Sequence, residues 1–107
     1  FLEHLQLSVF GHGDVVAEQV QALKDGGSDV VHIDETSADN ADNIESNLNG
    51  ADLVLVYLNS VGPGDVKRIR DGVRKRDLDV LFIQDEDFGN ILSAIRDKLE
   101  NSYYFDI

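Results

Sequence analysis

The chain has 107 residues, the length of one domain, with 42% hydrophobic residues and 21 acidic against 9 basic groups for a formal charge of −12. Its lack of cysteine excludes a disulfide framework, a thiolate metal site and a cysteine nucleophile. No apolar run approaches the roughly 20 residues of a membrane-spanning helix, the first residues do not read as a secretory signal, and the charge argues against nonspecific nucleic-acid binding, which needs clustered cations to release counterions.

Five runs read as strands and four as helices, in alternation. Leu5–Phe10 (LQLSVF) puts Leu5, Leu7 and Val9 on one face and Gln6, Ser8 and Phe10 on the other. After Gly11-His12-Gly13, Asp14 is placed to cap a helix carrying Val16, Val20 and Leu23 and closed by Gly26-Gly27. Asp29–Asp34 (DVVHID) is the second strand. The second helix carries Ala41, Ile44 and Leu48, with Ser37 or Asp39 as its cap and Asn49-Gly50 as its stop. Leu53–Leu58 (LVLVYL) is the third strand, apolar throughout. The third helix carries Val66, Ile69 and Val73, with Pro63 near its first turn, where a missing N–H costs nothing. Asp79–Ile83 (DVLFI) is the fourth strand. The last helix carries Ile91, Leu92, Ile95 and Leu99 behind Asp85 or Asp87, and Tyr103–Ile107 (YYFDI) reads as a fifth strand.

Strands alternating with helices imply right-handed crossovers and a parallel sheet, and continuously apolar strands imply a helical layer on each side. The expected fold is therefore a three-layer α/β sandwich around a parallel five-stranded sheet, in one domain over residues 1–107. The expected strand order is 2-1-3-4-5, the arrangement of flavodoxin-like folds. Gln6 and Ser8 are unusual for a central first strand. The start at Phe1 and an end inside a strand pattern fit a domain excised from a larger protein.

In such sheets ligands bind beyond the carboxyl ends of the strands. That rim consists of Gly11–Asp14, Asp34–Ser37, Asn59–Gly64 and Gln84–Asp87. The first loop, VFGHGDVVAEQV, resembles the Rossmann dinucleotide-binding fingerprint. Gly11 and Gly13 permit a tight turn and a close approach of pyrophosphate to a helix N-terminus, and Asp34, 21 residues beyond Gly13, is placed to accept hydrogen bonds from a ribose. The third small residue, Ala17, falls one place late, and Asp14 sets negative charge beside the phosphate position. Two glycines that turn a βα loop under a capping Asp14 account for the same residues without a ligand.

The stretch DLVLVYLNSVGPGDVKRIRDGVRKRDLDVLFI, from Asp52 to Ile83, with the tail NILSAIRDKLENSYYF, resembles the receiver domain of response regulators. The resemblance implies a phosphoacceptor Asp at the end of the third strand, where Tyr57 stands. It implies an acidic pair after the first strand, where Gly11 and His12 stand with Asp14 beyond. A Ser or Thr is due where Gln84 stands, and the Lys due after the fifth strand does not occur. A receiver-like chain with these residues has lost its phosphorylation chemistry and is expected to act as a non-catalytic signalling or protein-interaction module that requires no cofactor. The alternative is a Rossmann-type regulatory domain of a larger enzyme or transporter, binding NAD or an adenine nucleotide.

The remaining features are weaker. Rim acids (Asp14, Asp34, Glu35, Asp65, Asp85, Glu86, Asp87) with His12 offer oxygen ligands for Mg²⁺, but acids favour helix N-termini in any case, and no metal site is assigned. His4 reads as a tail residue and His32 as a packed or edge-facing strand residue. No nucleophile elbow, phosphate loop or HExxH pair occurs, so no catalytic residue is assigned. Six of the nine bases fall within Lys67–Arg76 of the third helix. Arg70 and Arg74 mark a docking face for an acidic protein partner or a second copy of the chain, away from the rim, unless the bases only complement the helix dipole. A fifth strand at an exposed edge would offer a second dimerisation surface. With 15 Asp, 6 Glu and only 4 Lys, the chain reads as a cytoplasmic protein of a salt-adapted organism, because salt screens the self-repulsion of so acidic a domain.

Overall fold

In the computed structural model, which describes residues 2–34, 41–84 and 87–105, strands and helices alternate without exception. They are β1 (Gln6–Phe10), α1 (Asp14–Asp25), β2 (Asp29–Ile33), α2 (Ala41–Leu48), β3 (Leu53–Tyr57), α3 (Pro63–Arg76), β4 (Val80–Ile83) and α4 (Phe88–Phe105). The strands form one four-stranded sheet of order β2-β1-β3-β4, parallel at every pairing. Phe10 pairs with Ile33 on β2 and with Val56 on β3, so the strands end level and their loops share one rim.

The topology explains the layers. From β1 the chain steps to β2 on one side, then returns past β1 to β3 and on to β4. A right-handed crossover places its helix on opposite faces for opposite directions of travel. The α1 residues Val16, Val20 and Leu23 accordingly pack on Leu7, Val9, Leu53 and Leu55, together with Ile91 and Ile95 of α4. On the other face, Ile44 and Leu48 of α2 and Ile69 and Val73 of α3 pack on Phe10, Val54 and Val56. All five residues of β3 are buried, the burial expected of a central strand covered on both faces.

The five-stranded expectation is corrected to four strands, and the order 2-1-3-4-5 to 2-1-3-4. The expected fifth strand, Tyr103–Ile107, is for Tyr103–Phe105 the last turn of α4; Asp106 and Ile107 lie outside the described residues. Leu99 and Tyr103 are four apart, so the aromatic triplet continues the helical period of Ile91, Ile95 and Leu99 as readily as it forms a strand. With the strand goes its edge as a dimerisation surface; the outer strand on that side is β4.

Several local readings hold. Gly26 caps α1, and its N–H and that of Gly27 donate to Ala22 and Lys24 carbonyls. Pro63 occupies the first turn of α3. Asp87 caps α4 by accepting from the Asn90 N–H at 3.3 Å. Asp14, by contrast, is the first residue of α1 and not its cap; Gly13 holds the cap position and offers no side chain to it. The proposed α2 caps Ser37 and Asp39 lie outside the described residues. The polar residues of β1 are also accounted for. The Ser8 hydroxyl is buried and donates to the Asn47 carbonyl on α2. Gln6, at the exposed end of the strand, donates from Nε2 to Asp29 at 2.7 Å.

Candidate functional site

β1 and β3 are neighbours whose outgoing connections run to opposite sides of the sheet, and the gap between their carboxyl ends is the switch point of the topology. A cleft of about 300 Å³ opens there. The β1 loop contributes His12 and Gly13, α1 contributes Asp14, Val15 and Val16, and the β3 side contributes Tyr57, Asn59 and Ser60.

Its floor is built by close approach. A Cβ on Gly11 would lie 2.9 Å from the Tyr57 Cβ and 3.0 Å from the Ser60 Oγ, so only glycine lets β1 leave the sheet this near β3. The Ser60 hydroxyl accepts the His12 N–H at 3.0 Å and is turned toward the Tyr57 carbonyl at 3.4 Å. On the other flank the Gly11 N–H donates to the Ile33 carbonyl, while the Gly11 carbonyl lies 2.8 Å from His32 Nε2. His32 is thus a half-buried histidine of the outer strand β2 that ties this strand to the loop. Asn59 donates to the Gln84 carbonyl at 3.3 Å and links two rim loops.

Gly13 differs from Gly11. Its φ of 108° is a conformation that side chains resist, yet nothing lies within 4 Å of its Cβ position. It bends the backbone into α1 and leaves open space beside the helix start. No side-chain hydrogen bond caps α1 there, and Gly13, Asp14, Val15 and Val16 at the helix start line the cleft.

The structure brings Gly11 and Gly13 together at the cleft, and Asp34 follows Ile33 on the adjacent strand, exposed at the same rim. Tyr57 fills the end of β3; it is 3% exposed and its hydroxyl donates to Gln19 of α1 at 2.5 Å. Sequence reasoning located Tyr57 but not Gln19, a buried amide on a helix whose polar face gave no sign of it. Among the described residues no three His, Asp or Glu side chains converge as a metal site; Glu35, Asp85 and Glu86 lie outside those residues.

The basic stretch of α3 is not wholly remote from the rim, contrary to expectation. Lys67 and Arg70 border a second hollow with Leu58 and Val61 of the β3–α3 connection and Pro63 at the start of α3. Helix geometry explains it: Lys67 lies one turn into α3, at the rim end, and Arg70 follows one turn later. Arg70 lies over the ring of Phe82 at 5.5 Å, whereas Arg68 pairs with Asp65 at 3.3 Å and Arg76 turns toward Asn49.

Fold and site together define an open, doubly wound parallel α/β sandwich with a cleft at its switch point. Comparison of the chain with protein-family models, curated proteins and solved structures finds no match.

Proposed function

We propose that this protein is a non-catalytic, receiver-like signalling or interaction module without phosphoryl-transfer chemistry. The observation that carries the reading is Tyr57. At the carboxyl end of the central strand, where a receiver would present a carboxylate to solvent, a buried phenol is held by Gln19. The neighbouring polar groups support it: Ser60 and Asn59 are engaged with backbone partners and bind the rim loops to one another. The reading predicts no uptake of a phosphoryl group when the protein is incubated with a small phosphodonor and Mg²⁺. Intact-mass measurement gives the answer, and a stoichiometric phosphoryl adduct would overturn the reading. The acid-rich composition supports a saline cytoplasm as its setting.

A second reading, a Rossmann-type domain binding NAD or an adenine nucleotide, is favoured by the cleft beside Gly13 and the uncapped start of α1, with Asp34 on the next strand. It requires a nucleotide to raise the melting temperature, since a ligand that binds only the folded state stabilises it. A thermal-shift series with NAD(H), ATP and AMP separates the two readings, and Gly13→Val should abolish any shift that occurs.

A further inference from the structure

The far edge of β4 carries no strand among the described residues, and its backbone is set out for one. The carbonyls of Asp79 and Ile83 accept from Val54 and Leu58 on the β3 side, each at 3.0 Å. Strand residues alternate in the direction of their peptide groups, so Val80 and Phe82 turn their N–H and C=O outward, away from the sheet. Exposed edges of this kind are commonly blunted by a charged or bulged strand. Here the four residues are Val, Leu, Phe and Ile, and Phe82 is 37% exposed.

The two faces flanking this edge differ chemically. On one, Arg70 stacks on Phe82. Lys67 and Arg74 share its helical face at spacings of three and four, and both are exposed with no ion pair among the described residues. α3 holds six bases against two acids in a chain of net charge −12. On the other face a groove of about 130 Å³ runs between Leu81 of β4 and Asn90 and Ala94 of α4, with mostly apolar walls.

We propose that the β4 edge binds an extended acidic segment of a partner protein as a fifth strand. Its peptide groups pair with those of Val80 and Phe82. Alternate side chains go to alternate faces: carboxylates toward Lys67, Arg70 and Arg74, and small aliphatic side chains into the groove beside Leu81 and Ala94. Charge selects this occupant over a second copy of the chain. Antiparallel β4–β4 pairing about a two-fold axis would set α3 beside α3 and bring two cationic stripes together. The net negative charge of the domain does not prevent the encounter, because at physiological salt charges beyond about 8 Å are largely screened and the local stripe dominates. The inference rests on the reading of the protein as an interaction module and names its partner's chemistry.

The test uses two labelled octapeptides, alternating Glu-Val and alternating Lys-Val, titrated into isotopically labelled protein. The Glu-Val peptide is expected to bind, to shift the amide signals of Val80 and Phe82 most, and to weaken as salt rises. The double variant Arg70→Glu, Arg74→Glu alters only exposed side chains and is expected to weaken binding by roughly tenfold or more. Phe82→Ala, which keeps the charges, should weaken it as well. Absence of Glu-Val binding at millimolar peptide, equal affinity for Lys-Val, or shifts confined to β2 would overturn the proposal. So would sedimentation showing a dimer whose formation alone perturbs Val80 and Phe82. The phosphoryl-uptake measurement is independent of these outcomes, so failure here and failure of the parent reading are distinguishable.

Discussion

Gly11 and Gly13 occupy one short loop, both at positive φ, and differ in the space around them. At Gly11 two constraints add: φ is 156°, and a methyl group would press on Tyr57 at 2.9 Å and Ser60 at 3.0 Å. Gly11→Ala is therefore expected to lower stability by about 1–3 kcal/mol through overpacking together with backbone strain, read as a lower urea midpoint with unchanged slope. At Gly13 the space is free but φ is 108°, so a side chain meets backbone strain worth about 1–3 kcal/mol. The two variants should differ in partner: Ser60→Ala relieves part of the Gly11→Ala cost and none of that of Gly13→Val. Tyr57→Phe removes the bond to the buried Gln19 and should cost about 1–3 kcal/mol. At this scale the glycines and the end of the third strand were legible, because turn chemistry and strand length are local. Gln19 was not, since the burial of one amide depends on which helix face meets the sheet.

Among the elements, β4 gives the sharpest check. If Val80 and Phe82 point outward, their amides should exchange with solvent much faster than those of Leu81 and Ile83, which face β3. Uniform protection along β4 would mean that the edge is covered. The strands and helices were readable from period and punctuation; Gly26-Gly27, Asn49-Gly50 and Pro63 fall at the predicted ends. The failure came at Tyr103–Phe105. A Tyr-Tyr-Phe triplet has high strand propensity, but strand propensity reflects a fit to sheet neighbours. Extending α4 beyond Leu99 satisfies one backbone hydrogen bond per residue with no partner strand needed. Propensity alone does not register that difference.

For the whole molecule, the charge of −12 makes stability a function of salt. Raising KCl from 0.1 to 1 M shortens the screening length from about 10 to about 3 Å and weakens repulsion among the surface carboxylates. The melting temperature of the full chain is expected to rise across that range, followed by differential scanning calorimetry; a flat or falling profile would count against salt adaptation. The expected rise belongs to no single ion pair, as Arg68–Asp65 is exposed and worth little.

The sequence by itself determined the class of the molecule: alternating strands and helices, a parallel sheet, two apolar faces, and, for want of cysteine, no thiolate chemistry. These follow from periodicity and composition, which each segment carries within itself. Only the tertiary structure decided that the sheet has four strands among the described residues, that Tyr57 is held by Gln19, and that Arg70 lies over Phe82 on the outer strand β4. Each of those depends on segments distant in the chain meeting in space, where the gain from packing outweighs what either segment prefers alone.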